Sequence, residues 1–192
     1  MSPEAAVKKQ WTPEEYLAFE RSSPEKHQFF QGEIFAMAGG SEEHNLLVSN
    51  LVTRLNLALE RKPCRVYPSD MRVKIPATGL YTYPDVSVTC ADRKFDDDRR
   101  DTLLNPEVIV EVLSESTELY DRGKKFAQYR TVPSLREYVL VSQDEVLVEQ
   151  YTRQADETWM LRVHRAGERL RLDAVGCEIA VDEIYLKVFG AE

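Results

Sequence analysis

Two β-branched runs carry the clearest hydrophobic pattern in the chain. One is Val86-Ser87-Val88-Thr89 after Tyr83-Pro84-Asp85, and the other is Val108-Ile109-Val110-Glu111-Val112-Leu113 after Pro106-Glu107. Runs of this kind, bounded by proline and a charged loop, predict buried strands over 83–90 and 106–113. Ahead of them, Leu47, Leu51 and Leu55 recur at four-residue steps, with His44, Val48, Leu51 and Leu55 on one helical face. This predicts a helix over 42–60, capped by Ser41, with His44 in its first turn on the buried side. Most histidines so placed are core residues with a satisfied nitrogen. After the second strand, Ser114-Glu115-Ser116-Thr117 supplies caps for a helix over 117–131. Lys125 and Tyr129 share one stripe of that helix, Lys124 and Tyr120 another, and spacing alone does not choose between the lysines.

Thr12-Pro13-Glu14-Glu15 reads as a helix start: Thr12 caps, Pro13 suits the first position, Glu15 completes a capping box, and Trp11 and Tyr16 stand at staple positions. Residues 27–38 predict a hairpin turning at Gln31-Gly32. Residues 66–75 read as a strand in which Pro68 marks an edge or bulge. The charged, aperiodic segment 91–104 reads as a solvated loop, whose consecutive Asp96, Asp97 and Asp98 diverge too much to hold a metal. From Pro133 onward, strands over 137–142, 146–151, 159–163 and 170–172 alternate with turns, and 181–186 closes as a short helix. The expected architecture is α/β: a central mixed β-sheet flanked by helices, with a C-terminal antiparallel meander. Residues 1–10 are expected to be a tail and 11–192 one domain.

Composition narrows the classes of function. A chain of 192 residues with 43% hydrophobic and 30% charged residues is long enough for one substantial core and is not a disordered sequence. A formal charge of −8 argues against a broadly basic surface coating nucleic acid, though not against a local basic groove. Cys64, Cys90 and Cys177 are odd in number, widely spaced and without a CxxC pair, which argues against a zinc ribbon and a disulfide scaffold and for a reducing cytoplasm. No signal-peptide pattern opens the chain and no apolar run approaches bilayer length, so no membrane association is expected.

The chemistry lies in the two strands. A lone ionised carboxylate in an apolar strand is costly unless a cation or hydrogen-bond donors compensate it. Asp85 at the head of one run and Glu111 in the middle of the next, with a lysine following, suggest a divalent-metal site. The plainer alternative is that Asp85 caps a turn, Glu111 lies on an edge, and Asp121 and Lys125 form an i,i+4 surface pair. Glu33, just past the hairpin turn, is a candidate third carboxylate or an ordinary turn acid.

The words Gly32-Glu33-Ile34, the helix opening at His44, Tyr83-Pro84-Asp85-Val86, Glu111-Val112-Leu113-Ser114 and Asp121…Lys125-x-x-x-Tyr129 resemble the PD-(D/E)XK nuclease superfamily. The match is closer to its restriction-endonuclease-like branch of largely uncharacterised proteins, and it covers roughly 11–159. The superfamily lysine normally stands two residues after the acid, where this chain has Leu113. The resemblance implies that the lysine has moved to the following helix as Lys125, with Lys124 as fallback. It also implies Mg²⁺ or Mn²⁺ held by Asp85, Glu111 and the backbone oxygen of Val112, with Glu33 and His44 as accessory groups. DNA is the implied substrate. A homodimer is expected from Val146, Tyr151 and Trp159 on the meander. The alternatives are a non-catalytic homodimeric interaction or nucleic-acid-binding module, and a metal-dependent hydrolase of a smaller phosphate ester.

Overall fold

A computed structural model describes residues 9–190 and begins with α1 (Pro13–Glu20). The helix starts where the capping box puts it: Glu15 N–H donates to the Thr12 hydroxyl at 3.2 Å, and Thr12 N–H donates to the Glu15 carboxylate at 2.9 Å. Trp11 packs on Phe19 and against the cluster that holds Tyr16, while Tyr16 itself stacks on Phe29 and tilts against Tyr81. The tail expected over 1–10 lies mostly outside the described residues, and Lys9 and Gln10 are exposed.

The elements that follow are β1 (His27–Phe30), β2 (Glu33–Ala36), α2 (Glu42–Ala58), β3 (Arg65–Pro68), β4 (Arg72–Ile75), β5 (Leu80–Thr82), β6 (Val86–Thr89), β7 (Thr102–Leu103) and β8 (Val108–Val112). Next come α3 (Glu118–Tyr120), a π-helical turn (Asp121–Lys125) and α4 (Phe126–Tyr129), which run on directly from one another. The chain closes with β9 (Glu137–Val141), β10 (Leu147–Arg153), β11 (Trp159–Arg165), β12 (Arg169–Leu172), β13 (Cys177–Ala180) and α5 (Val181–Ile184). The hairpin of β1 and β2 turns through Gln31 and Gly32 at φ of 50° and 82°, the left-handed pair that a two-residue turn between twisted strands requires.

A six-stranded sheet ordered β11-β10-β9-β8-β6-β3 forms the centre. In it β6 and β8 are antiparallel neighbours and β8 and β9 parallel ones, so the expected mixed sheet and its two adjacent strands are present. Residues alternate between the faces of β8. Val108, Val110 and Val112 pack with Leu47, Leu51 and Leu55 of α2, while Ile109 and Leu113 pack with Phe126 and Tyr129 of α4. Glu111 falls on the α4 face. A second sheet, β2-β1-β5-β4-β7, carries α1, and β12 pairs with β13 alone.

Several expectations need correction. The single strand over 66–75 is two, β3 and β4, in different sheets, although β3 is an edge as Pro68 suggested. Segment 91–104 is not a free solvated loop: Asp96 meets Lys74 and Tyr81 at 2.7 and 2.8 Å, Arg21 bonds Asp97 and Asp101, and β7 pairs in parallel with β4. Strand β13 is not among the expected strands, although Val175, Cys177, Ile179 and Val181 alternate along it and its flanks. Cys64 and Cys90 are joined by a disulfide, because extending the Arg65–Thr89 register by one residue sets them opposite each other. Only Cys177 is free. One bridge removes the cysteine argument for a reducing compartment. Tyr151 and Trp159 are half-buried against Phe126, and Val146 is half-buried against the main core. The apolar residues exposed on β11 are instead Met160, Leu161 and Val163. Among the described residues, no helix is long and apolar enough to cross a membrane.

Glu137 on β9 is buried, and its carboxyl accepts from Gln150 and from the N–H groups of Asp173 and Ala174. Burial nonetheless pushes it up to about 7 from 4.5. An acid raised in the folded state favours folding below its unfolded pKa, and that advantage is lost as pH rises to about 7. Glu137→Gln should therefore gain stability relative to wild type between pH 4.5 and 8, on the order of 2–3 kcal/mol. Urea unfolding at both pH values measures it, and parallel profiles for the two proteins would contradict this account.

Candidate active site

The paired strands bring the two acids together. Val86 lies opposite Val110, so the next step of the same register sets Asp85 opposite Glu111. Asp85 N–H lies 3.4 Å from Glu111 Oε2. Val112 N–H donates to Asp85 Oδ2 at 2.8 Å, and His44 Nε2, from the first turn of α2, lies 3.1 Å from Asp85 Oδ1. A strand residue directs its N–H and C=O to the same side, so the Val112 carbonyl faces the Asp85 side as well.

Lys125 completes the group. Its Nζ lies 2.8 Å from Glu111 Oε1 and 3.1 Å from Asp121 Oδ1, and the Tyr129 hydroxyl donates to Glu111 Oε1 at 2.8 Å. Lys124 is exposed, so Lys125 is the lysine of this pair that reaches the acids. In a regular α-helix each four-residue step drifts about 40° around the axis. The wider π turn takes back that drift, keeping Asp121, Lys125 and Tyr129 on one buried face. Tyr138 hydroxyl donates to the Asp121 carbonyl within that turn. Leu113, at the usual lysine position, packs with Phe126 and Tyr129, so the helix supplies the amine the strand lacks.

Burial dominates the electrostatics. Glu111, 3% exposed, is pushed above the usual carboxylate range by desolvation and by the nearby Asp121 and Asp85, against the pull of Lys125. Desolvation works to lower the Lys125 ammonium, but Glu111 and Asp121 outweigh it and hold its pKa above the ordinary lysine value. The hydrogen bond to Asp85 raises His44 against its own desolvation.

His44, Asp85, Glu111, Val112, Asp121 and Lys125 all line one open cleft of about 800 Å³. Glu33 does not. It sits beside the hairpin turn opposite Phe30, and the cleft is lined by the other end of β2. The carboxylates have basic partners that lie far off in sequence: Lys125 reaches Glu111 and His44 reaches Asp85. Asp121 escaped assignment because an i,i+4 acid–lysine pair reads as a surface feature, yet it is 2% exposed. Its stripe with Lys125 and Tyr129 was the available signal.

Comparison with known proteins gives the family and the fold. Residues 13–182 match the model of the Uma2 family, described as "Putative restriction endonuclease". The chain belongs to the Uma2 family. Two relatives from Synechocystis sp. (strain ATCC 27184 / PCC 6803 / Kazusa) are the uncharacterized proteins slr1290 and sll1609. The first is 42% identical, over 96% of this chain and 95% of its own length, and the second 41% identical, over 81% and 88%. A crystal structure described as a putative nuclease belonging to DUF820, from Anabaena variabilis ATCC 29413, superposes with a TM-score of 0.73 at 16% identity. It covers 92% of this chain and 98% of its own, and supports the restriction-endonuclease-like fold.

The donors in this Uma2 cleft are hard oxygens: two carboxylates and a strand carbonyl. Among the described residues, no three His, Cys, Asp or Glu side chains group as a complete metal cage. Mg²⁺ does not need one, since it keeps several waters and takes one or two carboxylates. Glu111 Oε2 is engaged only by the long Asp85 contact, which leaves it available. The residues present therefore fit such an ion.

Gly40 controls His44. A Cβ at Gly40 would lie 2.4 Å from His44 Cδ2 and 2.8 Å from its Cγ, so Gly40→Ala must displace the imidazole. A ring moved away from Asp85 gives up the hydrogen bond that raises its pKa most, and the lowering effect of burial then dominates. An NMR titration of His44 should show its pKa falling in both Gly40→Ala and Asp85→Asn. An unchanged value in either variant would mean that Asp85 does not hold this ring.

Proposed function

We propose that this Uma2 protein hydrolyses phosphodiester bonds in nucleic acid, DNA being the substrate implied by the family, with Mg²⁺ or Mn²⁺ at Asp85, Glu111 and the Val112 carbonyl. The observation that carries this reading is the buried Lys125 amine, set between Glu111 and Asp121 beside Asp85 on the floor of an open cleft. A bound divalent ion would supply Lewis-acid stabilisation of phosphate charge and a more acidic water.

The chain's own residues do the rest. Val112 N–H and His44 fix the two oxygens of Asp85, and Tyr129 fixes one oxygen of Glu111. These contacts set both carboxylates before substrate arrives, which is where preorganised sites gain most. Lys125 stays protonated, so it serves as a donor and not as a base. Its ammonium stabilises the negative charge that develops on the phosphoryl oxygens as water attacks phosphorus and the ester oxygen leaves. The ammonium therefore contributes more to the transition state than to substrate binding.

Lys125→Ala should lower kcat by about 10²–10³-fold, as removal of one preorganised donor does, with a smaller effect on KM. Lys124→Ala should stay within about threefold of wild type, as expected of an exposed lysine. Removing one partner of a buried ion pair also destabilises, so thermal unfolding accompanies each assay and Asp85→Asn provides an isosteric second variant. The assay is cleavage of labelled single- and double-stranded DNA and RNA with Mg²⁺, Mn²⁺ or EDTA. Cleavage in EDTA would exclude the metal role, equal effects of the two lysine changes would exclude the Lys125 assignment, and no cleavage at all would favour a non-catalytic module.

A further inference from the structure

The wall of the cleft facing the acids carries groups that the hydrolytic reading does not use. Gln28 and Phe35 are directly paired across the β1–β2 hairpin, so their side chains stand together on one face, and both line the cleft. Phe35 is 41% exposed, an open ring at the mouth of a polar site. Gln28 is held from two sides: its Nε2 donates to the Tyr120 hydroxyl at 3.3 Å and its Oε1 accepts from Thr82 at 3.5 Å. Each contact takes one of two N–H donors and one of two oxygen lone pairs, so a donor and an acceptor remain for a ligand.

The charge of the cleft points the same way. Of its lining residues only His44 and Lys125 are cationic, and both already face Asp85, Glu111 or Asp121; Glu115 adds a further acid. Duplex binding draws most of its affinity from phosphate contacts made by lysine and arginine. This cleft offers no such row. Affinity must come from the bases, and a base can stack on a side chain and show its edge to an amide only when it is unpaired.

We propose that the cleft accepts single-stranded nucleic acid, with one unpaired base stacked on Phe35 and its edge bonded by Gln28, beside a phosphate that faces the Lys125 ammonium. This rests on the hydrolytic reading above and specifies its substrate. Phe35 and Gln28 are then specificity residues. They take no part in the proton and phosphoryl chemistry itself.

Fluorescence anisotropy with a labelled 12-nucleotide single strand and its blunt duplex, alongside cleavage of both, tests the proposal. The proteins are wild type, Phe35→Ala, Phe35→Tyr and Gln28→Ala, each checked by thermal unfolding. Wild type should prefer the single strand at least about tenfold. Phe35→Ala should lose about 5–100-fold of that binding, the range for one base–aromatic stack, while Phe35→Tyr stays within about threefold. Log K against log salt should have a slope no steeper than about −2, the value for two or three phosphates on a single strand. Equal use of both forms, or an unaffected Phe35→Ala, would overturn the inference while leaving hydrolysis standing. If neither form is cleaved, the hydrolytic reading fails. The binding arm then decides alone: strand-selective, Phe35-dependent binding upholds the inference, and no oligonucleotide binding overturns it.

Discussion

The contact between the Glu111 carboxylate and the Lys125 ammonium is 2.8 Å long, and both side chains are closed off from solvent except where they meet the cleft. Taking two ions out of water costs several kcal/mol each, and a well-packed apolar pair in their place would be at least as stable. Stability therefore does not explain why the pair is here. The surrounding structure accommodates it at some expense: Tyr129 adds a donor to Glu111, Asp121 adds a second acid to Lys125, and the helix widens into a π turn to bring these three onto one face. Wide turns of this kind concentrate at functional sites.

Topology does the remainder. Antiparallel pairing of β6 with β8 places the start of one strand against the end of the other, and Asp85 and Glu111 occupy those ends. The α2 helix covers the opposite face of the same sheet and delivers His44 at its first turn, where Gly40 leaves room for the ring. Three layers thus converge at one end of these interior strands, and the β1–β2 hairpin closes the far wall with Gln28 and Phe35. Rigid elements hold the charged groups, while the hairpin wall presents a base-sized apolar surface with an amide beside it.

Much of this was legible because burial and period leave marks in sequence. Continuous β-branched runs announced β6 and β8, four-residue leucine steps announced α2, and an acid inside Val-Ile-Val-Glu-Val announced Glu111. What sequence lacks is register. Cys64 and Cys90 are separated by 26 residues and meet only because β3 and β6 pair as they do. The same holds for Gln28 and Phe35, although their two-residue turn made that register recoverable. The acids of 91–104 looked solvated because their partners, Arg21, Arg72 and Lys74, lie on elements far off in the chain. Asp121 looked exposed because an i,i+4 pair reads alike on a surface and against a core.

The central claim is that Asp85 and Glu111, with Lys125 beside them, hold a divalent cation at the floor of this cleft. Diffraction from crystals grown in MnCl₂, recorded at the manganese edge, tests it most directly. An anomalous peak is expected between Asp85 and Glu111, about 2.1 Å from an oxygen of each, as hard-ion coordination requires, and absent from Asp85→Asn crystals. Manganese bound only elsewhere, or no peak at Asp85 in saturating metal with Glu111 and Lys125 still paired, would contradict it.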